Sequence, residues 1–224
     1  MNLRYKSPKA LRDWVEELPS GPHWKSITMK TAVPTKSPIV IYYRNPVECL
    51  QSLLHNPLFK DHISFCLYRL YESAAKTMQT YTEWLSGDAA WNMQVCQFLF
   101  AFHASAQSST AGILQTALPR NGTLLGTIIA SDKTTISAMT GNRAAHPLLI
   151  SLANISMDFR NKASNEAFLL LGLIPIPKFI HKKRKICSVL EARLFHECLD
   201  HILRPLKSAA TTGVLMADSL GQNH

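Results

Sequence analysis

The chain has 224 residues, 46% of them hydrophobic and 17% charged, which suits one large domain or two small ones with a buried core and excludes disorder throughout. Its 24 Lys and Arg against 15 Asp and Glu leave a net charge of +9, a balance that favours a polyanionic partner such as nucleic acid or an anionic surface. The five cysteines, Cys49, Cys66, Cys96, Cys187 and Cys198, contain no C-x-x-C pair, and no run reaches the roughly 18 apolar residues of a membrane helix, which argues against a disulfide framework, a zinc ribbon and a membrane span.

Residues 1–38 carry prolines at 8, 19, 22, 34 and 38 and read as an irregular arm with a short helix over Lys9–Glu17. Its first residues are basic and lack the apolar core of a secretory signal, so an intracellular, unsecreted product is expected. Residues 39–94 read as mainly helical. After the β-rich run Pro38–Tyr43, Asn45-Pro46 opens a helix with Val47, Leu50, Leu53 and Leu54 on one face. Residues 63–84 repeat Phe65, Leu67, Leu70, Tyr71, Met78 and Tyr81 in a pattern that predicts a second helix, broken at Ser86-Gly87-Asp88. From Ala89 to Pro119 there follow 31 residues without a single Asp, Glu, Lys or Arg.

Beyond Pro119 the pattern changes from helix to strand. Thr123–Ala130 (TLLGTIIA), Pro147–Ile155 (PLLISLANI) and Phe168–Ile176 (FLLLGLIPI) are three predicted strands. An amphipathic helix of about 20 residues follows, with Val189, Leu190, Leu194, Cys198, Leu199, Ile202 and Leu203 at helical spacing and Pro205 closing it. Gly213–Ala217 (GVLMA) is a predicted fourth strand. Entered through a long helix, it is expected to lie parallel to an earlier one. Beside the first strand it would bring Asp132 and Asp218 to neighbouring strand ends, about 4.8 Å apart, where two carboxylates can hold a divalent metal.

The fold class expected is α/β: a partial ribonuclease H-like mixed sheet, strand-strand-strand-helix-strand, preceded by the arm and helices. The words around these elements are more specific than their order. LPSGPHW (Leu18–Trp24), YYRNPVECLQSLLHNPLF (Tyr42–Phe59), YTEWLSGDAAWNMQ (Tyr81–Gln94), LPRNGTLLGTIIASDKT (Leu118–Thr134), GNRAAHPLLISLANI (Gly141–Ile155), LLGLIPIPK (Leu170–Lys178) and the HECLDHILRPL helix from His196 together resemble a Plavaka-type transposase, a family of fungal mobile elements related to the CACTA group. The resemblance covers nearly the whole chain in consistent order.

It implies a DDE-type enzyme that cleaves and transfers DNA strands. Asp132 in the SDKT word matches the first acidic residue and Asp218 falls where the second would be. Such carboxylates hold Mg²⁺ (or Mn²⁺), hard cations that take oxygen ligands. A third acid, usually Glu, is expected well beyond Asp218, and the sequence ends at His224. The resemblance therefore implies, over residues 116–224, a truncated ribonuclease H-like catalytic domain, inactive by itself. The alternatives are a non-catalytic DNA-binding remnant and a degenerate product without a stable function. Removing Val95–Gln115 restores family-like spacing, so residues 95–115 read as an atypical insertion, and the codons for Val and Gln allow a retained intron.

Other residues have weaker claims. The run Lys178–Lys185, with Lys178, Lys182, Lys183, Arg184 and Lys185, can contact DNA phosphates or serve as a nuclear-import signal, or be a solvated loop. Glu83 and Asp88 suit a helix-end turn better than a catalytic site. His196 and His201 stand five apart, the wrong spacing for chelation from one helical face. Trp14, Trp24, Trp84 and Trp91 can stack on bases, though aromatic residues beside helices usually pack in cores. Ser131 beside Asp132, with His146 nearby, lacks the G-x-S-x-G elbow of a hydrolase.

Overall fold

The computed structural model describes residues 7–16, 21–93, 122–137, 143–180 and 183–224. The proposed insertion 95–115 lies outside them, as does Lys182. Helix α1 spans Pro8–Glu16. Five strands form the main sheet: β1 (Lys25–Met29), β2 (Ile39–Tyr43), β5 (Thr127–Ser131), β8 (Pro147–Leu152) and β9 (Leu169–Leu173). Their order is β1-β2-β9-β8-β5, and every neighbouring pair is antiparallel. Two short hairpins stand apart from it, β3 (Leu70–Tyr71) with β4 (Gln79–Thr80), and β6 (Thr134–Ser137) with β7 (Arg143–Ala145).

Helix α2 (Pro46–Leu54) starts where the sequence placed it. Asn45 caps it, its Oδ1 accepting from the Val47 N–H at 3.1 Å, and Pro46 fills the first turn without wasting an amide. Cys49, Leu50, Leu53 and Leu54 form its buried stripe. They pack with Ile39 and Ile41 of β2, Leu148, Ile150 and Leu152 of β8, Leu171 of β9, and Leu194, Cys198 and Ile202 of the long C-terminal helix. A short helix, α3 (Met157–Arg160), follows β8. The long helix, α4, spans Arg184–Thr212 and continues past Pro205 instead of stopping there. A proline inside a helix removes one hydrogen bond, a cost of about 3 kcal/mol; Leu206, packed against the core beyond it, holds the added turns in place.

Three further expectations need correction. Residues 63–84 are not a helix: Ile63 bridges Ile155, β3 and β4 form a hairpin, and Trp84–Ser86 is a single 3-10 turn. The apolar residues of this stretch are spent on separate anchors, among them Phe65 against the core and Leu85 buried, not on one helical face. Gly213–Ala217 is not a strand of the sheet, which is therefore antiparallel and not mixed. Only Met216 of that segment is buried, Val214 and Leu215 are exposed, and Ala217 bridges Asn223 in a local turn. The turn wins because Met216 exchanges both backbone hydrogen bonds with His224, at 3.1 and 2.7 Å, while the Asp218 carboxylate accepts from the Leu220 and Gln222 amides and closes the loop between them. Lastly, the arm is not wholly irregular, since β1 pairs along its full length with β2.

Candidate functional site

The two acids singled out in the sequence belong to opposite ends of β5. Asp132 directly follows the strand, is exposed, and receives no hydrogen bond from any described residue. It shares its surroundings with Lys133 and His146. Partial burial lowers the His146 pKa, Lys133 lowers it further, and Asp132 works in the opposite direction. The His146 ring stacks on Phe195 of α4, centroids 5.1 Å apart and planes at 17°. The acid at this end thus stands beside an imidazole held in place by the long helix.

Asp218 sits at the other end, and its carboxylate is engaged. Oδ1 accepts from the Leu220 N–H at 2.9 Å and the Gln222 N–H at 2.8 Å, and Oδ2 lies 3.2 Å from His224 Nε2. The other ring nitrogen of His224 lies 3.2 Å from Thr123 Oγ1, ahead of β5, and the ring stacks on Phe65 at 4.1 Å. Burial pushes the Asp218 pKa up, but the Gln222 amide, the His224 ring and the Leu220 amide outweigh it and leave the carboxyl below its ordinary range. About 17 Å of strand, five residues at 3.4 Å each, separates the two ends of β5. The neighbouring placement expected of Asp132 and Asp218 is not what the fold produces.

The same leading end contains a buried amide side chain bonded on both its oxygen and its nitrogen. Asn154, 2% exposed, accepts from the Gly126 N–H at 2.8 Å and donates to the carbonyls of Ser64 at 2.9 Å and Leu124 at 3.1 Å. Gly126 is required here by close approach: a Cβ would meet the Trp84 ring at 2.8 Å. Glu83 accepts from the Met157 N–H at 2.7 Å and so starts α3, and Asp88 accepts from the Tyr81 hydroxyl at 2.9 Å. A cleft of about 310 Å³ opens between Asp61, His62, Tyr68, Glu83 and Asn154, and of these the Glu83 and Asn154 side chains are already bonded.

The basic run occupies a third place. Thr35 bridges Phe179, the Lys36 N–H donates to the Lys178 carbonyl at 2.9 Å, and the Ile180 N–H donates to the Pro34 carbonyl at 3.0 Å. The arm thereby sets Lys36 beside Lys178, a neighbour that sequence reasoning missed because the two are far apart in the chain. Lys183 caps α4, and Arg184 and Lys185 form its exposed first turn, with no acidic residue there. Among the described residues Lys36, Lys178, Arg184 and Lys185 pair with no carboxylate.

The remaining candidates are structural or partly so. His201 Nε2 lies 3.0 Å from the Tyr43 hydroxyl, and His196 stands edge-on to Phe195. The Trp91 indole donates to the Tyr68 carbonyl at 3.3 Å, while Trp24 carries the Arg44 guanidinium 4.4 Å above its ring. Burial pushes the thiols of Cys49 and Cys198 up to about 11, which keeps both in the unreactive thiol form. Among the described residues no three His, Cys, Asp or Glu side chains converge on a metal position, and no helix is long and apolar enough to cross a membrane.

Compared with known proteins, the chain matches the Plavaka transposase family over residues 5–224. No curated protein and no solved structure matches it.

Proposed function

Because the chain belongs to the Plavaka transposase family, which ties it to DNA transposition, we propose that it is a DNA-binding protein whose acids descend from a metal-dependent strand-transfer site. The observation that carries DNA binding is the unpaired basic surface of Lys36, Lys178, Arg184 and Lys185. Cations in the first turn of α4 oppose its dipole, at about 0.3–1 kcal/mol each. A phosphate drawn to that turn relieves the repulsion and meets free backbone amides.

The ribonuclease H-like reading rests on β5, β8 and β9, which are three antiparallel strands in chain order followed by the long helix. Asp132 fits as a ligand for Mg²⁺ (or Mn²⁺), being an exposed carboxylate with no described donor at the end of β5. A divalent ion held there supplies charge stabilisation to phosphodiester oxygens. Asp218 fits less well, because three donors fill its carboxylate; it would act as the second ligand only after the 218–224 turn opens. In the closed arrangement the chain binds DNA without cutting it. The nuclear location proposed follows from the same basic run, read as an import signal.

Retention of duplex DNA measured across a salt series tests this reading. Each phosphate contact adds about 0.9 to the slope of log affinity against log salt. Replacing Lys36, Lys178, Arg184 and Lys185 with Ser is expected to reduce that slope by about 3 to 4. An unchanged slope removes this surface from the interface.

A further inference from the structure

The two faces of the main sheet differ in what meets them. Ile39 and Ile41 of β2, with Leu148, Ile150 and Leu152 of β8, pack in the core with α2 and α4, and the Tyr43 ring stands edge-on to His201 of α4 at 5.2 Å. Side chains alternate along a strand, so Tyr42, between Ile41 and Tyr43, stands on the opposite face, where half of it is exposed. The register carries that face across the sheet. Ser26 of β1 and Leu173 of β9 flank Tyr42, and Pro147 of β8 flanks Leu173. Ser26 and Leu173 are exposed as well.

At one end of this row the face becomes aromatic and cationic. Lys25 pairs with Tyr43, which sets Trp24, one residue back, opposite Arg44, one residue on. The Arg44 amide donates to the Leu171 carbonyl at 2.8 Å and keeps Arg44 in line with β2. By alternation its side chain shares the face of Tyr42, and the guanidinium lies 4.4 Å from the centroid of the Trp24 ring. Trp24 remains 43% exposed despite that contact. Among the described residues Arg44 Nε is buried without an acceptor, and no carboxylate pairs with the guanidinium. None of the five strands of the sheet contains an Asp or Glu.

A face that offers rings, hydroxyls and an unneutralised guanidinium suits an anionic partner with flat apolar surfaces. Unpaired nucleotides are such a partner: their bases stack on aromatic side chains whatever their identity, and their phosphates accept charge-assisted hydrogen bonds from Arg. In a duplex only the base edges are accessible, through the grooves, so a stacking surface favours the single strand. We propose that the Trp24, Tyr42 and Arg44 face of the sheet binds single-stranded DNA, with bases stacked on Tyr42 and Trp24 and a phosphate held by Arg44. This rests on the DNA-binding reading above and uses residues other than those of the basic surface. Trp24 and Tyr42 are diagonal cross-strand neighbours, about 7–8 Å apart. That is about twice the roughly 3.4 Å per nucleotide of a stacked strand, so successive bases can splay onto separate rings.

The test compares binding of the full chain to a labelled oligothymidine of about 16 nucleotides and to a mixed-sequence duplex, each across a salt series. The intact chain is expected to bind the oligothymidine with a shallower salt slope than the duplex, because stacking is not ionic. Tyr42→Ala is expected to weaken oligothymidine binding about fivefold or more, with duplex affinity and thermal midpoint unchanged. Trp24→Ala gives an independent reading of the same loss, and Tyr42→Phe, which keeps the ring, is expected to bind as wild type. Undiminished oligothymidine binding in both Ala variants, or duplex binding without oligothymidine binding, overturns the stacking face and leaves the duplex reading intact. A dimeric chain that becomes monomeric on Tyr42→Ala and binds no oligothymidine makes this face a protein interface and also overturns the proposal. No salt-dependent retention of either DNA defeats the DNA reading itself.

Discussion

The two ends of β5 are made of similar residue types and differ in how far their polar groups are bonded. At the leading end Asp218, His224, Thr123 and Asn154 are buried or half-buried, and their polar atoms are matched to one another and to backbone groups. At the trailing end Asp132 and Lys133 are exposed and the sheet ladder lapses. A buried polar group contributes to the fold only when its hydrogen bonds are made, and an exposed one costs the fold nothing if it stays unmatched. The bonded leading end supports the fold, and the trailing end is where we propose the function resides, although the sequence marks both with an acid.

Four substitutions break or sharpen that contrast. The largest loss is expected at Asn154→Ala, which strands the Gly126 amide and two carbonyls; at about 1–3 kcal/mol for each buried group left unmatched, urea unfolding is expected to show a loss of about 3 kcal/mol or more. Gly126→Ala comes next, since its methyl displaces the Trp84 ring. Overpacking of this kind costs about 1–3 kcal/mol, and combining it with Trp84→Leu is expected to recover part of the loss in a double-mutant cycle.

Asp218→Asn is expected to cost less, and its signature is in the pH dependence. The folded pKa of Asp218 lies below its unfolded value, so its stabilisation is fully present above the ordinary carboxylate pKa of about 3.9 and fades as pH falls through the lower folded value. Thermal midpoints of wild type and variant are expected to differ at neutral pH and to converge in acid; curves that stay parallel count against the turn-closing role. Asp132→Asn is expected to leave stability within about 0.5 kcal/mol of wild type, as for a surface change that breaks no bond. A large loss there would make both ends structural.

The sequence made the local elements readable and left the long-range ones obscure. Asn45-Pro46 with Leu50, Leu53 and Leu54 specifies α2 through a cap and a stripe, and the β-branched runs before Asp132 and after His146 specify β5 and β8. Residues 63–84 misled because their apolar side chains serve several distant anchors, and an accidental helical spacing looks the same in one dimension. Gly213–Ala217 misled for a related reason: it has strand composition, but Asp218 closes a turn on its own backbone. Of the candidate site, Asp132 was visible from its position after a strand, whereas the Lys36–Lys178 neighbourhood and the His146–Phe195 stack depend on contacts that no local pattern encodes.

Paramagnetic broadening by Mn²⁺ in the amide spectrum of the full chain tests the contrast most directly. Broadening is predicted at Asp132, Lys133 and His146, abolished by Asp132→Asn and unaffected by Asp218→Asn. Broadening centred on Asp218, Leu220 and His224, or none at either end of β5, would contradict the assignment of function to the trailing end.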